Sequence, residues 1–156
     1  MGRKEGVVKT YGLTHMALSV RDVKRSLKFY QQVLGVVPVY EEHDSIQAQT
    51  PGTRDVLVFE RNTERAGKAG GVAHFGFRLV KPVAVSTIVK KVERAGGKVL
   101  SKGEFAPGLP YVFFTDPDGY EVEVWFERPT PYDPTEPIVS AQQGAPADRR
   151  RKRAGH

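Results

Sequence analysis

Two stretches of this chain place a lone histidine at the same point of the same local pattern, and that duplication limits the possible fold more than any other feature. Gly12-Leu-Thr-His15-Met-Ala-Leu18 and Gly70-Gly-Val-Ala-His74-Phe-Gly-Phe77 both read as strands with a histidine near the start. Each is followed by a helical pattern and then by further strands, and the two units end on Val58-Phe59-Glu60-Arg61 and Trp125-Phe126-Glu127-Arg128. Only four histidines occur in the 156 residues, so two at matching repeat positions imply two copies of one structural unit. A pseudo-two-fold between such copies brings the two imidazoles toward a common axis.

Within each unit the apolar pattern assigns the faces. In residues 13–20, Met16, Leu18 and Val20 share one face, and His15, Ala17 and Ser19 the other, because strand side chains alternate. Asp22 is placed to cap a helix on which Val23, Leu27, Tyr30 and Leu34 form one apolar stripe, and Gly35 is suited to end it. Strands near 36–41, 45–50 and 55–61 complete a βαβββ unit. The second unit repeats the order. A strand over 72–80 has Phe75, Phe77 and Leu79 on one face and His74, Gly76 and Arg78 on the other. A helix is expected from Pro82, with Val85, Ile88, Val89 and Val92 on its apolar side and Gly96-Gly97 at its end. Strands near 98–101, 111–115 and 120–127 follow, the last two joined by Asp116-Pro117-Asp118-Gly119, a strong turn signal. The last strand puts Val122, Val124 and Phe126 on one side and Glu121, Glu123, Trp125 and Glu127 on the other. Both histidines and an acidic row therefore point away from the helices.

The expected architecture is α+β: two βαβββ modules, about 11–62 and 71–128, forming a curled mixed sheet around a metal site with helices on the outer face. Residues 1–10 are expected to be a flexible arm. Residues 129–156 hold five of the eleven prolines and end in Arg149-Arg-Arg-Lys-Arg153, and read as a disordered basic tail. The net charge of +6 does not imply nucleic acid as a partner. The tail carries five cations and three anions, a net of +2, and the remaining +4 is spread over 128 residues without a basic stripe. There is no cysteine, which excludes disulfides and thiolate metal ligands and fits a cytoplasmic setting. No apolar run is long enough to span a membrane.

Two imidazoles and a carboxylate bind a divalent cation while leaving positions open for water or substrate. On His15, His74 and the run Phe113-Phe-Thr-Asp-Pro-Asp-Gly-Tyr-Glu-Val-Glu123, residues 11–128 resemble the vicinal oxygen chelate superfamily. That superfamily includes glyoxalase I, extradiol dioxygenases, fosfomycin-resistance transferases and bleomycin-binding proteins. The resemblance implies a metal ligand at Glu123, joining His15 and His74 around Fe²⁺, Mn²⁺, Zn²⁺ or Ni²⁺. It implies Lewis-acid chemistry on a small molecule that chelates the metal through adjacent oxygens. Lyase, isomerase, transferase and oxygenase reactions all stay open.

A glyoxalase-like fourth ligand is not found. Aligning Phe59-Glu60-Arg61 with Phe126-Glu127-Arg128 sets Val56 opposite Glu123, although Glu60 lies on the same nominal face. The loop before the Asp-Pro-Asp-Gly turn lacks the extra histidine of extradiol enzymes, and Phe113 stands where their tyrosine is expected. Glu121 or Glu60 is the candidate general base, and Arg78 the candidate anchor for an anionic or carbonyl group. Trp125, Gln47 and Gln49 are expected to line the pocket. The competing readings are a fosfomycin-type thiol transferase and a metal-free, bleomycin-resistance-like binding protein. A homodimer is expected, with the site either inside one chain or shared by two.

Overall fold

The computed structural model describes residues 8–135. Of the expected arm over residues 1–10 and tail over 129–156, residues 1–7 and 136–156, with the basic cluster, lie outside the described residues. The chain folds as β1 (His15–Val20), α1 (Val23–Leu34), β2 (Val37–Glu41), β3 (Ser45–Gln49) and β4 (Val56–Arg61). The repeat follows as β5 (Phe75–Arg78), α2 (Val85–Arg94), β6 (Lys98–Glu104), β7 (Pro110–Thr115) and β8 (Glu121–Trp125). These make two four-stranded mixed sheets, ordered β1-β4-β3-β2 and β5-β8-β7-β6, with no closed barrel. The histidine-bearing strands lie at matching sheet edges, each paired in parallel with the last strand of its own module.

Helix α1 forms as its sequence dictates. The Asp22 side chain accepts from the backbone N–H groups of Lys24 and Arg25, both 3.0 Å away, and so satisfies two otherwise unpaired donors. Gly35 closes the helix at φ 70°, a left-handed conformation that costs glycine little. Helix α2 starts at Val85 rather than at Pro82. No side chain caps it, and Pro82 to Ala84 remain outside the helix. Strand β6 runs to Glu104, three residues beyond expectation. Its register slips between Val99 and Ser101, which leaves Leu100 exposed and breaks the alternation that would have revealed its length. Strand β5 is shorter than the 72–80 run, since Leu79 makes only one further backbone bond, to the Trp125 carbonyl.

The core faces of both sheets and both helices enter one hydrophobic cluster, including Leu18, Phe59, Phe29, Tyr30, Phe114 and Val122. Phe29 of the first module lies 6.1 Å, ring to ring, from Phe114 of the second. A polar junction lies beside this contact. Tyr30 donates to Asp116 at 2.7 Å, and Asp116 also accepts from the backbone N–H groups of Asp118 and Tyr120. Asp118 accepts from the Arg21 backbone and guanidinium, from Arg25 and from Ser26. Tyr120 donates to the Ser19 carbonyl at 2.8 Å. The Asp-Pro-Asp-Gly turn, which the sequence marks only as a turn, thus docks the start of β8 against the end of β1. Burying carboxylates is tolerable here because each has several donors.

Candidate metal and substrate site

Strand register confirms the division of faces. In the first sheet His15, Ala17 and Ser19 pair with Val56, Val58 and Glu60, while Gln47 and Ser45 of β3 face Val58 and Glu60. In the second, Gly76 faces Glu123 and Arg78 faces Trp125; Phe113 and Tyr111 of β7 then face Glu123 and Trp125. His74 immediately precedes β5. Its Nε2 lies 3.3 Å from Oε2 of Glu123, the two side chains being 38% and 12% exposed. Phe113 sets its ring at 89° to the imidazole with centroids 4.9 Å apart, which restricts the histidine from one side.

His15, on β1, does not join this pair. Among the described residues no group of three or more histidine, aspartate or glutamate side chains is gathered to hold a metal. A cavity of about 160 Å³ separates the two histidine strands, lined by Met16 to Ser19 of β1 and by His74 and Phe75. The edges of β1 and β5 therefore do not pair within the chain.

The equivalence of β4 and β8 shifts by two residues from the one read off the C-terminal Phe-Glu-Arg segments. Two residues after each histidine come Ala17, facing Val58, and Gly76, facing Glu123. Val58, not Val56, takes the place of Glu123, and valine supplies no ligand at either position. Glu60 is exposed and lies at the Ser19 end of the sheet. Gln49 donates to the Thr53 carbonyl at 2.8 Å, and Gln47 is half-buried on the His15 face. Glu121 is exposed, opposite Thr115, on the face that carries Glu123.

Arg78, expected to anchor an anionic group, is occupied. It holds Asp133 through two nitrogens, at 2.9 and 3.1 Å, and donates to the carbonyls of Glu127 and Arg128. The guanidinium holds the Asp133 carboxyl down at about 2. The charge that could have met a substrate is neutralised by a residue 55 positions away, which no local pattern announces.

Three aromatic residues on this side, Phe105, Tyr111 and Phe113, were not assigned a role from sequence. Phe105 stacks on Tyr111 with centroids 4.1 Å apart, Tyr111 meets Phe113, and Phe113 meets His74. Trp125 directs its indole N–H to Glu127 at 3.2 Å. The alternation of Tyr111 and Phe113 in step with Glu123 was a usable signal once the β7–β8 register was known.

Two donors held 3.3 Å apart suit a common cation. Metal–nitrogen and metal–oxygen bonds of about 2.0–2.2 Å span such a gap at tetrahedral or octahedral angles. Among the described residues, no helix is long and apolar enough to cross a membrane.

A model of the Glyoxalase/Bleomycin resistance protein/Dioxygenase superfamily matches residues 12–124. Metapyrocatechase from Geobacillus stearothermophilus is 27% identical over 94% of this chain and 46% of its own length, so the chain spans about half of that protein. A probable trivalent organoarsenical cleaving enzyme from Bacillus subtilis is 29% identical over 73% of this chain and 79% of its own. The fosfomycin resistance protein FosX from Mesorhizobium loti shares the fold, with a TM-score of 0.62 at 16% identity over 77% of this chain and 95% of that one. With two βαβββ units and a family match across both, the chain belongs to the Glyoxalase/Bleomycin resistance protein/Dioxygenase superfamily.

Proposed function

We propose that this protein is a divalent-metal-dependent enzyme acting on a small molecule that chelates the metal through adjacent oxygens. His74 and Glu123 of one copy and His15 of a second would complete the site in a homodimer. The observation that carries this reading is the His74–Glu123 pair, preformed at 3.3 Å, with His15 on the corresponding face of the other module but not beside it. A closed two-fold assembly makes two equivalent sites, each borrowing one histidine. A cation held there supplies Lewis-acid polarisation of the two substrate oxygens. Glu121 serves as the proton acceptor beside the ligands, with Glu60, on the sheet bearing His15, the alternative carboxylate. Gln47 and Gln49 line that sheet, and Trp125 the other.

Two reaction classes named among the relatives fit less well. Trivalent arsenic favours thiolate ligands, and the chain has no cysteine. A phosphonate substrate could not use Arg78, which is bound to Asp133. Two histidines and one carboxylate form the set used by non-haem iron oxygenases, but Phe113 and the histidine-free loop before the Asp-Pro-Asp-Gly turn depart from the extradiol pattern, so the metal-dependent class stands without a choice of reaction.

Metal content tests the shared site. His15→Ala and His74→Ala should each purify without metal. Mixing equal amounts under subunit exchange makes half of the dimers mixed, each with one intact site, so about a quarter of wild-type metal should return. A site within one chain would recover none. Wild-type protein that takes up no metal, even after reconstitution, would instead favour a metal-free binding protein.

A further inference from the structure

We propose that a cavity on the helix side of the second module binds a small amphiphilic carboxylate, with its alkyl part inside and its anionic end at Lys91. This site is independent of the metal reading, because it lies on the opposite face of the sheet.

The cavity measures about 170 Å³. Its floor is Val124 of β8, which is 2% exposed and points away from the face that carries its neighbour Glu123. Val33 and Leu34, in the last turn of α1, and Ile88 of α2 form the walls. Leu79, just after β5, and Val83 complete the apolar lining. Because α2 begins only at Val85, Val83 reaches the cavity from irregular chain rather than from the helix. Val33, Leu34, Leu79 and Val83 pack on the hydrophobic core yet stay half-buried. Four aliphatic side chains left partly in water around a common space gain from an apolar guest.

Two polar side chains join this lining. Thr87 and Lys91 lie one turn apart on α2, so both project from the same side of the helix, and both are exposed. Among the described residues, Lys91 makes no ion pair and the Thr87 hydroxyl makes no hydrogen bond. No carboxylate lines the cavity. An ammonium and a hydroxyl donor without a competing carboxylate match an anionic oxygen acceptor. A single cation suits a monoanion, which points to a carboxylate rather than a phosphate ester.

Volume sets the length of the guest. An apolar cavity of about 150 Å³ accommodates benzene, so this one takes an alkyl part of about five or six carbons. An exposed ion pair contributes little by itself. Burial of the alkyl chain therefore supplies most of the affinity, and Lys91 selects the charge of the head group.

Methyl resonances supply the readout. Carbon–proton correlation spectra of the full chain, labelled at valine, leucine and isoleucine methyls, would be titrated with acetate, butyrate, hexanoate and octanoate at neutral pH and constant ionic strength. Hexanoate should give saturable shifts at Val33, Leu34, Ile88 and Val124. Each buried methylene should tighten binding about fourfold, and the gain should stop between hexanoate and octanoate, when the cavity is full. Lys91→Gln should weaken hexanoate about threefold and leave pentan-1-ol, which carries the same alkyl chain without the charge, unchanged. Val83→Phe, which fills the space from irregular chain, should abolish the shifts. If that variant does not fold by circular dichroism, the chain-length series in the wild type decides. No saturable shift at these methyls, an affinity that climbs as steeply from hexanoate to octanoate as before it, or equal hexanoate affinity in folded Lys91→Gln would overturn the proposal.

Discussion

Replacing Tyr30 with phenylalanine would test whether the polar junction between the modules stabilises the fold. The substitution removes one oxygen and keeps the ring, which is edge-on to Phe29 and stacked on Phe59 at 5.3 Å in each case. What is lost is the 2.7 Å hydrogen bond to Asp116. A hydrogen bond to a charged, buried partner is worth about 1.5–3 kcal/mol. Asp116 keeps its two backbone donors, which argues for the middle of that range. A loss of about 2 kcal/mol is about a thirtyfold change in the folded-to-unfolded ratio and about 4–8 °C in Tm for a chain of this size. Urea unfolding followed through Trp125, at fixed protein concentration, measures it.

The pH dependence has a definite sign. Burial raises the Asp116 carboxyl above its ordinary 3.8, and the Tyr30 hydrogen bond opposes that rise. A carboxyl raised in the native state contributes stability at low pH that is lost as pH climbs through its native value. Without Tyr30 the rise is larger, so the gap between wild type and variant should widen from acid toward neutral pH. Tyr30 is itself raised well above 10.0, first by burial and then by Asp116. Its stabilisation is complete below pH 10 and fades above, as only the unfolded tyrosine ionises. The gap should therefore narrow again in alkali. A loss below about 0.5 kcal/mol, within the range of an ordinary surface change, or a gap that does not change with pH, would refute the reasoning.

Gly67→Ala should be severe, since φ is 77° and a β-carbon would stand 2.2 Å from the Asp118 carbonyl; the backbone strain alone costs about 1–3 kcal/mol, readable as a lower urea midpoint. Gly97→Ala, which would press on Val92 and Phe29 at 2.8–2.9 Å, should cost about 1–3 kcal/mol by overpacking. Arg78→Ala should release the segment around Asp133, seen as faster proteolytic cleavage after residue 128, while metal content stays at the wild-type level.

Much of the fold was legible in the chain because its determinants are local. The alternation of Met16, Leu18 and Val20 against His15, Ala17 and Ser19 needs only the period of a strand, and Asp22 and Gly35 act on backbone within a turn of themselves. The duplicated histidine strands told of two modules, and the side alternation told which face each histidine takes. The exact equivalence of β4 and β8, the slip in β6 and the commitment of Arg78 to Asp133 were not legible, for each depends on pairing between distant segments.

The sequence by itself determined that each module has a histidine-bearing face opposite an apolar one. Only the tertiary structure decided that the two modules of one chain join through Phe29, Phe114 and the buried Asp116–Tyr30 contact, with His74 beside Glu123 and His15 apart from both. The physical reason is that facing is set by bonds one or two residues apart. Which faces meet is set by burial and donor matching between groups far apart in the chain, as in Phe29 with Phe114, Tyr30 with Asp116 and Arg21 with Asp118.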